Sequence, residues 1–336
     1  MPSPRKRATL REVAEATGLS LAAVSYALRG VQVSAETQLR VRRAAAELGY
    51  EADPIARALA SGRTSMVGLL CGSLEDLWQQ LFAAGIGREL LARDRYALIL
   101  DVGGDPAREQ TLAQQLRDQR VDGLIVSPLD PSAAFWADLA DMLPVVSIGD
   151  SLAGVDNAGE VVFDNRAGVT LALEHLHGLG HRRVAVLTPT RASTPDRPAE
   201  VHVTAEAERL GLEVSVVTSP HALAGATAVA RSVLADPHRP TALFCFSDSI
   251  AYGAYAAAEE LGLKIPTDIS VAGYDNHPVS SLLSPALTTF DWDTDGIVRA
   301  AVRLVVAAID GKPRRQRISR SPKLTERAST SAPSST

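Results

Sequence analysis

Short apolar runs recur ten times after Ser65, and this alternation restricts the possible folds more than any other feature of the chain. The runs are "MVGLLCG", "YALILDVG", "VDGLIVSP", "PVVSIGD", "EVVFDN", "RRVAVLTP", "LEVSVVT", "TALFCFSD", "ISVAGYD" and "LTTFDWD". Most are separated by stretches with helical spacing, such as residues 77–93, 107–119, 167–179, 223–235 and 249–262. This pattern is typical of βα units that build a parallel sheet covered on both faces. Because ten strands exceed one comfortable sheet, we expect an α/β core of two doubly wound lobes, with ligand at the carboxyl ends of the strands.

The first 50 residues lack such runs, and their spacing predicts three short helices. Thr9 and Glu12 form a capping box, while Ser20 and Ser34 are N-cap candidates for the second and third helices. A glycine follows each helix, and the gap between the first two has the length of a helix-turn-helix connection. The expected core of this small all-α headpiece consists of Leu10, Val13, Ala14, Val24, Leu28, Val41 and Leu48.

The charge is divided unevenly between these two parts. Residues 1–63 hold ten Lys/Arg and six Asp/Glu, a net of +4, and the remainder holds 24 basic and 33 acidic residues, a net of −9. A basic head on an acidic body suggests that only the head meets a polyanion.

The second helix lies in "GLSLAAVSYALRG", residues 18–30, where Arg29 is the one charged residue. On a helical wheel its apolar side packs on the neighbouring helices, and its opposite side carries Ala22, Ser25, Tyr26 and Arg29. A DNA major groove admits such a helix and offers thymine methyls and acceptor edges to these side chains. The alternative is a core helix of an unrelated small all-α domain.

The chain resembles the LacI/GalR family of bacterial transcriptional repressors over residues 5 to 325. The resemblance is carried, in the family's order, by "TLREVAEATGLSLAAVSYALRG", "VSAETQLRVRRAAAELGYEADPIARALASGRT", "LGHRRVAVL", "SDSIAYGAYAAAEELGLKIPTDISVAGYD" and "LTTFDWD". It implies a DNA-binding headpiece, a hinge helix and a core shaped like a periplasmic sugar-binding protein.

By this resemblance Leu21, Ala22, Ser25 and Tyr26 occupy base-reading positions, and Ser34 and Thr37 match phosphate-contacting positions. Tyr26 stands where the family often has Arg or His, which leaves the operator sequence open. The DNA-contacting set that we predict is Thr9, Ser20, Leu21, Ala22, Ser25, Tyr26, Arg29, Ser34, Thr37, Ala58 and Leu59.

Ala58 and Leu59 belong to the segment "DPIARALASG", in which Asp53 can cap a helix and Pro54 suits its first position. The segment is shorter than the roughly 12–15 residues at which an isolated helix becomes marginally stable. The resemblance implies paired hinge helices in the operator's minor groove, with Leu59 as an apolar wedge between base steps. The alternative is a plain linker in which Leu59 packs on the core.

For the effector site we predict Trp78, Arg197, Asp248, Asp275 and Trp292, all near strand ends or in the loops that follow them. A sugar or nucleoside needs an apolar platform and a few fixed hydrogen-bonding groups, which indoles, carboxylates and a guanidinium supply. The segment after Arg197 departs from the family, which makes the placement of that residue less secure.

We expect no metal, no cofactor and no enzymatic activity. Three histidines lie in "EHLHGLGH", but Gly178 and Gly180 break the helix between His177 and His181, so a helix end explains the run better than a metal site. The chain contains neither a G-x-S-x-G elbow nor a G-x-x-x-x-G-K-[ST] loop.

The predicted organisation is a helix-turn-helix headpiece over residues 1–52, a hinge over 53–63, an effector and dimerisation core over 64–325, and a disordered tail over 326–336. Lobe one of the core takes residues 64–160 and 293–320, and lobe two takes 161–292. No apolar run reaches the ~20 residues of a membrane helix, so we expect a cytoplasmic protein without a membrane partner.

The function predicted is a repressor that binds pseudo-palindromic operator DNA as a homodimer and responds to a small effector of the sugar or nucleoside class. Whether dimers pair into tetramers, and whether the effector releases or promotes DNA binding, stays open. The alternatives are a solute-binding protein of the sugar-transport type, which would not need the headpiece, and an α/β enzyme.

Overall fold

The structure, a computed structural model, describes residues 8–30, 32–50, 62–155, 159–189, 198–312 and 315–334. The chain divides into two compact units, Met1–Thr64 and Ser65–Thr336.

The first unit contains three helices, α1 Leu10–Thr17, α2 Leu21–Arg29 and α3 Ala35–Leu48. The Thr9 hydroxyl accepts from the Glu12 amide, and the Glu12 carboxylate accepts from the Thr9 amide at 2.6 Å, so the predicted capping box is present. The small core consists of Val13, Ala14, Val24, Ala27, Val41 and Ala45, with Leu10 and Leu28 packed against it. Leu48 was expected in this core, but it is 42% exposed, and α3 contributes Val41 and Ala45 to the buried core instead.

Lobe one of the second unit contains a fully parallel six-stranded sheet in the order β11-β5-β4-β3-β1-β2. Its strands are β1 Met66–Cys71, β2 Tyr96–Asp101, β3 Gly123–Val126, β4 Val145–Gly149, β5 Gly159–Phe163 and β11 Gln316–Arg320. The helices of this lobe are α4 Leu77–Leu91, α5 Pro106–Asp118, α6 Phe135–Met142 and α11 Thr294–Ile309.

Lobe two contains a parallel four-stranded sheet in the order β7-β6-β8-β9. Its strands are β6 Arg183–Pro189, β7 Glu213–Ser219, β8 Ala242–Cys245 and β9 Ser270–Ala272. Its helices are α7 Asn165–Gly178, α8 Pro198–Leu210, α9 Leu223–Leu234 and α10 Asp248–Glu260, with a 3-10 turn at Pro278–Ser281. The short antiparallel strands β10 Thr289–Asp291 and β12 Lys323–Thr325 pair where the chain passes between the lobes.

All ten apolar runs form strands β1 to β10, which confirms the predicted class of two doubly wound lobes. Strands β11 and β12 had no such signal, because β11 is an edge strand with mostly exposed side chains. The predicted boundary at residue 160 falls inside β5, which pairs with β4 and β11 of the first sheet and therefore belongs to lobe one up to Phe163.

The predicted disordered tail is corrected by the structure, because residues 326–334 pack on lobe two. The Ser329 carbonyl accepts from the Val271 amide at 2.9 Å, and the Ser329 hydroxyl donates to the Val271 carbonyl at 2.6 Å. Farther along, Nε2 of the buried His181 lies 2.9 Å from the Ser331 carbonyl. The tail has few apolar side chains, but its small hydroxyl groups and its backbone satisfy the free edge of β9.

Candidate functional site

The exposed face of α2 is the first candidate site. Ser20 caps the helix by accepting from the Ala23 amide at 3.2 Å, and Gly30 ends it with a φ of 73°, a left-handed conformation that favours glycine. Leu21 is 46% exposed and Ala22 is exposed, while Ser25 and Tyr26 are half-buried. On the side of α2 that faces away from the headpiece core, the described side chains therefore carry hydroxyl, phenol and methyl groups and no charge.

The other predicted DNA-contacting hydroxyls lie at the starts of helices. Thr9 and Ser20 cap α1 and α2, and the Ser34 hydroxyl accepts from the Thr37 amide at 3.3 Å at the start of α3. Helix N-termini carry partial positive charge and suit anions such as phosphate. The side chain of Arg29, together with Ala58 and Leu59, lies outside the described residues, so their predicted contacts remain predictions.

The second candidate site is a cavity of about 380 Å³ between the two lobes of the core. It is lined from both sheets by segments that follow the carboxyl ends of strands, as expected for a doubly wound fold. These segments include Gly72–Gln79 after β1, Ile148–Asp150 at the end of β4, His221 after β7 and Tyr274–Asp275 after β9.

A continuous chain of aromatic rings forms one side of this cavity. Ring centroids are 5.7 Å apart between Trp78 and Phe163, 5.1 Å between Phe163 and Trp292, and 5.2 Å between Trp292 and Tyr274. Phe246 extends the chain at 5.3 Å from Tyr274. The predicted Trp78 and Trp292 are therefore brought to the same wall, and both line the cavity.

Both indole N–H groups are already engaged within the protein. Trp78 Nε1 donates to the Thr294 hydroxyl at 3.1 Å, and Trp292 Nε1 donates to the Tyr274 carbonyl at 2.8 Å. A bound molecule would therefore meet the rings of the two indoles rather than a hydrogen-bond donor.

Asp76 joins the two lobes at the floor of the cavity. Its Oδ1 caps α4 of lobe one by accepting from the Trp78 amide at 3.2 Å. The same oxygen accepts from the hydroxyls of Ser247 and Ser249, at 3.3 and 3.4 Å, at the start of α10 in lobe two. The Ser249 hydroxyl in turn accepts from the Leu77 amide at 3.1 Å. The first turns of α4 and α10 thus share one hydrogen-bond network.

Asp275 lines the cavity beside this network, and its Oδ2 accepts from the Asp248 amide at 2.8 Å. Burial raises the pKa of Asp275 well above its usual value, and the nearby carboxylates of Asp76 and Asp248 raise it further. The neighbouring carboxylates therefore disfavour the ionisation of Asp275.

Asp248 was expected in the effector site, but it is not part of the cavity lining. It is 1% exposed, and both of its oxygens accept hydrogen bonds from the chain. The donors are the amides of Tyr274, Asp275 and His277 and the hydroxyls of Ser280 and Thr289, at 2.5 to 3.1 Å. Asp248 thus holds the loop that carries Asp275 and lies behind the cavity lining.

Three buried polar atoms of the lining have no hydrogen-bond partner within the described structure. They are Thr188 Oγ1, His221 Nδ1 and Tyr274 Oη, and His221 Nδ1 lies 3.8 Å from Asp76 Oδ1. Burial without a partner costs free energy, and the Tyr274 hydroxyl packs against Gly168 of α7.

The sequence analysis missed several lining residues, namely Asp76, Phe163, Thr188, His221, Phe246 and Tyr274. All of them lie within the last residues of a strand or in the loop that follows it. Systematic attention to the residues after each apolar run would have found them. Arg197 lies outside the described residues, and its predicted contact with the effector remains a prediction.

Two absences concern the described part of the chain only. No helix there is long and apolar enough to cross a membrane, and no group of His, Cys, Asp or Glu is arranged to hold a metal ion.

Comparisons with known proteins agree on the family. The profile of bacterial regulatory proteins of the lacI family matches residues 9–53, and that of the periplasmic binding protein-like domain matches residues 173–330. The chain is 32% identical to the ribose operon repressor of Haemophilus influenzae over 84% of its length and 86% of that protein. It is 30% identical to the HTH-type transcriptional repressor PurR of Klebsiella pneumoniae over 96% of both chains.

Among solved structures, the chain resembles the lac repressor dimer bound to operator and the anti-inducer ONPF. The TM-score is 0.85 at 26% identity, and the match covers 97% of this chain and 100% of that one.

Proposed function

The chain belongs to the LacI family of bacterial regulatory proteins, and on that premise we propose separate roles for α2 and the interlobe cavity. Like the relatives that it matches, it is a DNA-binding transcriptional repressor that responds to a small molecule. We assign base reading to α2 and effector binding to the cavity.

The outer face of α2 is the observation that supports the assignment of base reading, because its described side chains at Leu21, Ala22, Ser25 and Tyr26 are uncharged. Leu21 and Ala22 can contact thymine methyl groups, and the Ser25 and Tyr26 hydroxyls can donate to acceptor edges in the major groove. The helix starts at Ser20 and Ser34 would meet backbone phosphates on either side and fix the register of α2. Two headpieces of a dimer would read the two halves of a pseudo-palindrome.

The cavity supports the assignment of effector binding, because its lining combines an aromatic wall with polar side chains such as Asp76 and Asp275. The family proteins to which the chain is similar include a ribose operon repressor, and one solved structure is a CelR–cellobiose complex. We therefore propose a hydroxylated effector of the sugar or nucleoside class.

Coupling between the two sites follows from the position of the cavity between the lobes. A molecule that contacts Trp78 from lobe one and Tyr274 from lobe two binds better to one relative orientation of the lobes than to another. If only one orientation favours the operator-bound dimer, effector and operator alter each other's affinity by the same factor.

The protein is not an enzyme in this proposal. It acts in the cytoplasm, where a bacterium keeps its DNA.

The test is a selection of duplexes from a random pool with the full-length protein. The proposal expects enrichment of a pseudo-palindromic sequence and a strong decrease in affinity with rising salt, because phosphate contacts release counterions. A thermal-shift screen of sugars and nucleosides, followed by titration of the enriched operator, then tests the cavity. If no duplex is enriched, with or without metabolites, the proposal is wrong.

A further inference from the structure

The loop that follows β9 carries Asp275 into the cavity lining, and we name residues 274–277 the Asp275 loop. The amides of residues 274, 275 and 277 donate to the two carboxylate oxygens of Asp248, at 2.8 to 3.1 Å. The amide of Asn276 donates to the Thr289 hydroxyl at 3.1 Å. Two side chains therefore bind four consecutive amides of the Asp275 loop.

Within this loop, Asn276 adopts a left-handed backbone conformation with a φ of 49°. Asparagine tolerates this region better than most residues, and a residue other than glycine keeps such a conformation where surrounding contacts fix it. Because Asn276 directly follows Asp275, its conformation determines the direction in which the chain leaves Asp275. A contact to the Asn276 side chain therefore acts on the position of Asp275.

Arg327, in the C-terminal tail, supplies such a contact. Its Nη2 donates to Asn276 Oδ1 at 2.6 Å, and its Nη1 donates to the Leu287 carbonyl at 2.7 Å. Both bonds have a charged donor, which makes them stronger than bonds between neutral groups. Since the guanidinium is planar and rigid, it ties Asn276 to the segment that precedes β10.

The backbone around Arg327 is itself ordered by contacts with lobe two. The Arg327 amide donates to the Thr288 hydroxyl at 3.0 Å, and the Ala328 amide donates to the Ala286 carbonyl at 3.0 Å. The side chain of the next residue, Ser329, is fully buried. Arg327 therefore extends from a fixed backbone, and its two guanidinium bonds need to order only a side chain.

Arg327 is not among the described residues that line the cavity, so it can act on a bound molecule only through other residues. The bonds from the Asp275 loop to Asp248 and Thr289 do not involve the tail. The loss of Arg327 should therefore loosen the Asp275 loop without unfolding lobe two.

We propose that Arg327 is a positioning residue of the effector site, which acts through Asn276 to hold Asp275 at the cavity. This inference rests on the proposed function, since it takes the cavity as the effector site. It gives the C-terminal tail a part in effector recognition.

Hydrogen exchange of the full-length protein without any ligand tests the support of the loop. Arg327→Gln removes the guanidinium and keeps the backbone amide that bonds to Thr288. We expect the amides of residues 274–277 to exchange about tenfold faster in this variant, because a bond to a charged donor is lost. Lys323→Gln, which removes an exposed positive charge of β12, is the matched control and should leave their exchange unchanged.

Two substitutions of Asn276 show whether Arg327 acts through this residue. Asn276→Gly permits the left-handed conformation and removes the acceptor, so the addition of Arg327→Gln should speed exchange no further. Asn276→Asp keeps an acceptor and also tolerates a positive φ, so exchange should stay at the rate of the natural protein.

Calorimetry with D-ribose, D-glucose, cellobiose and adenosine then measures the effect on effector binding. For each of these molecules that binds the natural protein, we expect Arg327→Gln to weaken binding about fivefold. Operator affinity in the absence of a ligand should stay unchanged, because the tail is not part of the DNA-contacting set.

The inference is overturned if Arg327→Gln leaves exchange of the Asp275 loop unchanged, or speeds exchange throughout lobe two. It is also overturned if the effect of Arg327→Gln is equally large in the Asn276→Gly background, or if a molecule of the panel binds the variant as tightly as the natural protein. If no molecule of the panel binds the natural protein, the exchange comparison still decides for or against Arg327, and the failure counts against the proposed effector class alone.

Discussion

The exposed face of α2 and the interlobe cavity are assembled in different ways. The face of α2 comes from nine consecutive residues, and its two ends are set by the local signals Ser20 and Gly30. The lining of the cavity extends along the chain from Gly72 to Trp292, and its residues meet because two sheets direct the ends of their strands to one place. A surface of the first kind can change side chains with little effect on folding, whereas the second depends on buried groups that also hold the core together.

The largest effect that we predict is the loss of core stability on replacement of Asp248. Replacing it by alanine removes the acceptor of five hydrogen bonds, four from the loop that carries Asp275 and one from Thr289 in β10. We expect a loss of about 3–5 kcal/mol in the free energy of unfolding of the core. Urea unfolding measures this loss, with Glu208→Ala on the exposed side of α8 as control. A loss below about 1 kcal/mol would show that the loop is held by other contacts.

A substitution at Tyr26 tests the other region of the comparison, the exposed face of α2. We expect Tyr26→Ala to relax base preference at one or two positions of each half-site, by about 1–3 kcal/mol of discrimination, because the phenol no longer contacts a base edge. Repeating the selection from a random pool measures the change. Leu48→Ala, an exposed headpiece side chain outside α2, should keep the preference of the natural protein. An unchanged preference with Tyr26→Ala would remove this residue from the base-reading set.

A substitution at Ser20 tests whether the start of α2 depends on a local cap, in contrast to the cavity lining. Ser20→Ala removes the acceptor for the Ala23 amide and should destabilise α2 by about 1 kcal/mol. This loss corresponds to amide exchange that is about fivefold faster in the first turn of α2. Hydrogen exchange of the full-length protein measures this rate. Ser20→Asp restores an acceptor and should return exchange to the original rate, and a failure to do so would argue against the cap.

The smallest predicted effect is a pH dependence of the core. Burial lowers the pKa of His175 and His181, which contact the tail at the Thr330 hydroxyl and the Ser331 carbonyl. The unfolded chain therefore binds more protons than the folded one below the usual histidine pKa of about 6.5. Stability is complete above that pH and decreases as the pH falls toward the lower folded-state pKa.

Thermal unfolding at pH 7.5 and pH 5.5 checks this dependence. Removing both titrating groups with His175→Gln and His181→Gln should flatten the pH profile, even if the variant is less stable at pH 7.5. A profile of unchanged slope would assign the dependence to groups other than these two histidines.

The same contrast explains which features could be predicted from the sequence. The caps at Thr9, Ser20 and Ser34 and the ten core strands depend on local chemistry and on hydrophobic periodicity, and both are visible along the chain. Trp78, Asp275 and Trp292 were found through the strand ends that they follow.

Other features depend on contacts between distant segments. Asp248 and Asp275 follow strands in the same manner, and only the three-dimensional arrangement shows that one is enclosed by its loop while the other lines the cavity. The order of the tail likewise depends on the bond from the Ser329 hydroxyl to Val271 and on the contact between the Ser331 carbonyl and His181. Both partners lie more than 50 residues away, which composition does not reveal.

One binding measurement tests most directly that α2 reads the operator and that the cavity binds the effector. The affinity of the full-length protein for its enriched operator and for a scrambled duplex is determined at one salt concentration, with and without a ligand that stabilises the core. The account predicts that the ligand changes operator affinity about tenfold or more and leaves affinity for the scrambled duplex unchanged. An equal change for both duplexes, or no change for either, would contradict it.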